Sequence, residues 1–407
     1  MALLLTNARL VHGDPAVTPR RADLLVRDGR IAAIGDRQTM DAGSAQILDL
    51  GGCTILPGLI DLHVHLEYTG EPRSDEIAAA DSPQRLITRM VGLAQRHLRN
   101  GVTTVRDLGA GEPGIFVVRD AIADGLVDGP RVLASGLVIT PRNGHGHALG
   151  ALADTADEVR AAVQGRIDAG ADTIKIIATG GVHTQGSDLM SAQYTESELR
   201  AGIETAHAAG RTVGSHASNP RGMANAIRAG VDSIEHGIFL DDETAQLMAA
   251  HGTTFVPTLA ATHLYEPNAN HPSIPDYVRE KAALTVPAHR ENFPRAVRAG
   301  VKIAVGTDAG STFVDHGLAA VEVEILTRFG LSPLEAIAAG TKNAAEVVHL
   351  EHEIGTLDLG KAADLLVVNG DPTLHIGDLQ HVALVIRGGR IMPTTVPCPA
   401  MRVRSDR

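Results

Sequence analysis

Six times along the middle of the chain, a helix-like stretch closes on a glycine and runs at once into a short β-branched segment. The six are Asn100-Gly-Val-Thr-Thr-Val-Arg-Asp107, Ala169-Gly-Ala-Asp-Thr-Ile-Lys-Ile-Ile177, Ala209-Gly-Arg-Thr-Val-Gly-Ser-His216, Ala229-Gly-Val-Asp-Ser-Ile-Glu-His236, His251-Gly-Thr-Thr-Phe-Val256 and Ala299-Gly-Val-Lys-Ile-Ala-Val-Gly-Thr-Asp308. A glycine just past a helix takes the left-handed conformation without a Cβ penalty and ends the helix cleanly. The runs behind the glycines are too short for helices and suit buried parallel strands. Adding Ile55–His65 and Arg131–Ile139 gives eight strands with helices between them. Such a series closes into a barrel or spreads into an open doubly wound sheet. No glycine-rich dinucleotide loop follows the first strands, so the sequence predicts a (β/α)8 TIM barrel.

The two ends of the chain have a different pattern, and they resemble each other. Ala22–Gly35 reads as two short strands about an Asp-Gly turn, and Asp364–Gly370 and Val382–Ile391 repeat that form around Asn-Gly and Gly-Gly. Alternating apolar runs bounded by such dipeptides are hairpin signals. We expect residues 1–56 and 348–407 to build one composite β-sandwich domain and residues 57–347 the barrel.

Composition narrows the class of partner. Of 407 residues, 36 are Lys or Arg and 48 are Asp or Glu, a net charge of −12, with 2% aromatic residues and no Trp. That is neither the basic field nor the stacking surface of a nucleic-acid binder. No run approaches the roughly 18 apolar residues of a membrane span. Cys53 and Cys398 are too few for a disulfide scaffold, and the first residues have no basic, then apolar, leader pattern. The expectation is a cytoplasmic protein acting on a small molecule, with homo-oligomerisation left open.

The chain has 19 His, and several stand at predicted strand ends. His63 and His65 end the first strand, Lys175 lies in the fourth, His216 ends the fifth, His236 the sixth and Asp308 the eighth. Strand ends of a barrel meet at one face, where active sites are built. Alternation puts His63 and His65 on one side, able to grip a single ion. Taken singly, each has an ordinary reading: a lone His such as His97, His251 or His349 is packed or exposed and receives no role. A bare lysine inside Thr-Ile-Lys-Ile-Ile, however, is costly to bury. Together the six make a metal-binding constellation. Arg106 and Asp107, ending the second strand, are expected to form an internal ion pair supporting it.

Pro57-Gly-Leu-Ile-Asp-Leu-His-Val-His65, with Lys175, His216, His236 and Gly306-Thr-Asp308, resembles the metal-dependent amidohydrolase superfamily over nearly the whole chain. Thr104-Val-Arg-Asp-Leu-Gly109, Gly144-His-Gly146, Lys175-Ile-Ile-Ala-Thr-Gly-Gly181 and Ser233-Ile-Glu-His-Gly237 are similar to the imidazolonepropionase-like subgroup of dipeptidases acting before Lys, Arg or Pro. The resemblance implies two divalent ions. His63, His65 and Asp308 would hold the buried one, His216 and His236 the other, and a CO₂-derived carbamate on Lys175 would bridge them. The donor set suits Zn²⁺, with Mn²⁺, Co²⁺, Ni²⁺ or Fe²⁺ also fitting. A metal-bridging hydroxide would attack the substrate carbonyl while Asp308 acts as base and then acid. Single-metal relatives in the superfamily carry a Glu shortly after the fifth-strand His. Here His216-Ala-Ser-Asn-Pro220 has none, which favours amide hydrolysis.

His145, His183 and Ser218 are candidate substrate contacts. His147 is read as structural or exposed; Tyr194 and Tyr265 are candidates to line the mouth, with packing the more ordinary role of a sparse aromatic. The leading function is cleavage of a C–N bond in a dipeptide or N-acyl amino acid. The second is hydrolysis of a cyclic amide, carbamate or lactone at the same site. The third is a scaffold that keeps the barrel without catalysis.

Overall fold

A computed structural model describes residues 2–393 and the short strand Arg402–Arg404; Cys398 lies outside the described residues. Both ends of the chain enter one nine-stranded sheet. Arg20–Arg27 and Arg30–Gly35 pair antiparallel with Arg27 opposite Arg30, leaving Asp28-Gly29 as a two-residue turn with φ of 50° and 79°. Two left-handed residues give the turn whose twist matches a hairpin. Val382–Arg387 and Arg390–Met392 repeat it about Gly388-Gly389. Thr54–Pro57 ties the two ends together, antiparallel to Leu365–Val368 and parallel to Ala2–Leu10. Alternation then buries Leu3, Leu5, Leu24, Val26, Ile55 and Leu365 in one core, with Leu4, Leu25 and Ile47 in another.

The rest is the (β/α)8 barrel. Leu59–Val64, Val102–Asp107 and Arg131–Ala134 form one parallel arc. Val138–Thr140, Thr173–Ile177, Thr212–Ala217, Ser233–His236 and Thr254–Val256 form the other. The six helix-ending glycines have φ between 69° and 97°, as their role requires. The eighth segment pairs through isolated bridges and single hydrogen bonds. Ala304 N donates to Phe255 O at 2.9 Å, Leu62 N to Val305 O at 3.0 Å and Asp308 N to His63 O at 2.8 Å, closing the ring. Among the described residues no helix is long and apolar enough to cross a membrane.

Two strands depart from expectation. Ile55–His65 is two strands, because the chain leaves the terminal sheet at Pro57 and enters the barrel at Leu59. Gly58 permits the switch: a Cβ there would lie 2.2 Å from Thr103 Oγ1. Arg131–Ile139 also breaks, between Ala134 and Val138, where Gly136 turns the chain with φ of 66°.

The expected Arg106–Asp107 ion pair does not form. Neighbours on a strand point to opposite faces, so the two cannot share one environment. Arg106 enters the barrel interior, where Nε donates to Leu62 O at 2.7 Å. Its terminal nitrogens donate to Ser233 Oγ at 3.1 Å and Glu235 Oε1 at 2.8 Å. Asp107 instead accepts from the backbone N–H of Leu66 and Gly109, at 2.7 and 3.1 Å. Arg106 and Glu235 are both 0% exposed, so removing either leaves a charge that water cannot reach. Arg106→Met is therefore expected to lower unfolding free energy by about 3–5 kcal/mol, and Glu235→Gln added to it should recover part of the loss. Urea unfolding measures both, and an unchanged midpoint for Arg106→Met would contradict the assignment.

Candidate metal centre

Six polar side chains converge where the barrel strands end. The His63 ring centroid lies 4.8 Å from that of His236 and 5.3 Å from that of His65; His216 and His236 are 4.7 Å apart. Asp308 Oδ1 lies 3.4 Å from His65 Nε2 and 3.7 Å from His63 Nε2. Lys175 Nζ donates to His63 Nε2 at 3.2 Å. His63, His65 and Asp308 each present a ligand atom within 4.8 Å of the others, so this trio can hold a cation.

Each imidazole is aimed by a partner on its far side. His63 Nδ1 donates to Glu235 Oε2 at 2.8 Å and His65 Nδ1 to Gly109 O at 2.9 Å, which turns both Nε2 atoms toward Asp308. His236 Nδ1 meets Thr258 Oγ1 at 2.8 Å, and His216 Nε2 donates to Gly180 O at 3.2 Å, freeing its Nδ1. Such outer bonds fix tautomer and ring orientation, as metal-ligating histidines require. Burial, reinforced by the Lys175 charge, pushes His63 down to about 4 and His216 to about 3, so both are neutral with a lone pair to give. Burial also lowers Lys175 to about 8, against the opposing pull of Glu235 and Asp308. For Asp308 burial acts upward, but the hydrogen bond from His65, with the ring of imidazoles around the carboxyl, outweighs it and holds the group well below its usual range.

The backbone is strained here as well. His236, Thr258 and Asp308 have φ of 70°, 55° and 61°, left-handed conformations held at the ends of the sixth, seventh and eighth strands.

The centre opens into a cavity of about 440 Å³, within the range of small-molecule sites. His145, His183 and Ser218 line it, and so does Tyr265, one of the two tyrosines expected either at the mouth or in packing. His145 is held tightly: its N–H donates to Gln193 Oε1 at 2.7 Å and its Nδ1 meets Thr184 Oγ1 at 2.8 Å. The Ser218 hydroxyl finds no partner among the described residues. Tyr194 is buried and donates to Ala153 O at 2.6 Å, a packing role. His147 bonds its neighbour Gly144, and His97 is buried against His316 at 2.9 Å.

Glu235 was the important residue left without a role. Its signal was present: a glutamate in an apolar strand, two positions from Ser233 and therefore on the same inward face. Thr258 and Thr184 gave no comparable signal.

Comparison with known proteins agrees with this geometry. The chain matches the amidohydrolase family over residues 54–392. It is 30% identical to an ochratoxinase of Aspergillus niger, across 91% of this chain and 83% of that protein. A solved Xaa-Pro dipeptidase with methionine bound in its active site superposes with a TM-score of 0.89 at 32% identity, covering 96% of this chain and 100% of that one. A prolidase complexed with N-methylphosphonate-L-proline gives 0.89 at 29% identity, covering 97% and 100%. Family match, shared barrel and converging ligand set lead to one conclusion: the chain belongs to the amidohydrolase family and is an enzyme that acts on amide bonds.

Proposed function

We propose that the protein hydrolyses a linear amide, of the dipeptide or N-acyl amino acid kind, at a two-metal centre. The observation that carries this reading is the meeting of four imidazoles, a carboxylate and a lysine amine in one buried cavity. The donor chemistry fits. Burial holds His63, His216 and His236 in the neutral form with a lone pair to give, and Asp308 is ionised. Burial also acts downward on His65, but the hydrogen bond and charge of Asp308 outweigh it and raise it, so an ion bound there would displace the His65 proton. His63, His65 and Asp308 would hold one ion and His216 and His236 the other, with Zn²⁺ the first choice for this donor set. When bound, the ions supply a water activated at neutral pH and a Lewis acid for the carbonyl.

Lys175 is the residue whose ordinary form fits worst. Its hydrogen bond is to the imidazole of His63 at 3.2 Å, not to a carboxylate. Attack of the neutral amine on CO₂, with loss of a proton, converts it to a carbamate, an anion with two oxygens to offer. Asp308 takes one proton from the attacking water and delivers it to the departing nitrogen, so the amine leaves neutral and the acyl carbon becomes a carboxylic acid, whose remaining proton is lost to solvent at neutral pH. His145, fixed through Thr184, presents its second nitrogen to the cavity as a substrate contact; His183 and Ser218 complete that wall.

Elemental analysis of protein purified without chelator is expected to find up to two divalent ions per chain. Stripping them should abolish hydrolysis, and restoring Zn²⁺ or Mn²⁺ should bring it back. Lys175→Ala should lose most activity and metal, and recover part of both with a short carboxylic acid that stands in for the carbamate. If that variant keeps both ions and full turnover, the bridging role is wrong. Asp308→Asn should lower kcat by about 10²–10⁴. A panel of dipeptides, N-acyl amino acids, cyclic amides, carbamates and lactones tests the reaction itself. Turnover of lactones or cyclic amides with none for linear amides would overturn the proposal.

A further inference from the structure

Away from the six polar residues, the cavity wall changes character. Between the seventh and eighth strands the chain inserts the helices Leu259–Tyr265 and Asp276–Arg298. Tyr265, Ile274, Val278, Ala282 and Val286 from this stretch pack into one apolar cluster with Val182, and all six line the cavity. Arg73, Asp75 and Glu76 line the same cavity from the segment after the first strand, and Thr262, Thr285 and His289 add polar atoms beside the apolar cluster. The wall is tied down before any ligand arrives. Lys281 Nζ donates to Gly181 O at 2.9 Å and Thr184 O at 2.8 Å, and the Tyr277 hydroxyl donates to His183 O at 3.2 Å. These bonds anchor the long helix to the loop after the fourth strand. Among the described residues the Tyr265 hydroxyl, on a residue only 7% exposed, has no hydrogen-bond partner, and neither has Nε2 of His289, which lines the cavity one turn beyond Val286.

We infer that this wall is a specificity subsite for a bulky apolar substituent on the scissile amide, branched aliphatic or aromatic. The Tyr265 hydroxyl supplies a single hydrogen bond to a polar atom on that substituent. This rests on the proposed amide hydrolysis and names the class of amide. The physical reason is direct. A fixed apolar wall recovers the transfer free energy of each group it covers, while a small polar substituent would leave it wetted.

The test separates binding from turnover. Calorimetric dissociation constants are measured on the metal-loaded enzyme for N-alkylacetamides from methyl to hexyl, and for the mirrored N-methylalkanamides. Product release is followed on the same samples. Affinity is expected to rise about fourfold per methylene in at least one series. Ala282→Phe, which fills the subsite, should flatten that rise. Val286→Phe fills it from another turn of the same helix and serves if the first variant does not fold. A dissociation constant does not depend on the active fraction, so the slope is read from folded protein alone. Flat slopes in both series, or a wild-type slope in both folded variants, would overturn the subsite. A slope with no turnover of any dipeptide or N-acyl amino acid by the same samples would leave the subsite standing and sink the proposed reaction; turnover of those amides with flat slopes would do the reverse.

Discussion

The buried chain from Arg106 through Glu235 to His63 is the constraint on which the centre depends. Two charges with no exposed surface are held at the heart of a parallel barrel, and one oxygen of Glu235 is left to orient an imidazole. A buried pair of this kind is rarely the cheapest way to stabilise a core, and hydrophobic replacement of both partners is often neutral. Its value here is directional. The carboxylate fixes which nitrogen of His63 carries the proton, and Arg106 fixes the carboxylate by bridging the first, second and sixth strands.

Around that axis the barrel distributes its tasks by position. Strand interiors are apolar or internally paired, strand ends carry the donors, and the loops beyond supply the outer bonds that aim them. The terminal sheet touches none of this chemistry directly. It holds the strand Thr54–Pro57, from which the chain passes through Gly58 into the strand bearing His63 and His65. Enzymatic precision at the mouth is thus anchored on the far side by a structure made of both chain ends.

How much of this was legible follows from the range of the interactions. The barrel could be read because its signal is local and repeated: a glycine, a β-branched run, a polar end. The six donors could be read because a strand end fixes a residue's place without knowledge of its neighbours. The partner of Arg106 could not, because it lies 129 positions away and only the closed barrel brings it near. The change of sheet at Gly58 was hidden for a similar reason, since an unbroken apolar run gives no sign that its halves serve different layers. Whether Tyr265 packs or lines the mouth could not be read, because its helix belongs to an insertion with no counterpart in the repeat, and that insertion contains Pro287 and Pro294 within a helix; it does both.

The left-handed backbone at Thr258 carries a further meaning. A β-branched residue is an outlier in that conformation, at about 1–3 kcal/mol, and His236 and Asp308 add milder instances nearby. Glycine would relieve the tension at Thr258, yet it would also delete the hydroxyl that aims His236. Thermal endurance and catalytic alignment therefore pull in opposite directions at this single position. At the proposed two-metal centre, the substitution that relaxes the backbone is the one that leaves His236 unaimed, so stability gained at this position would be taken from the site.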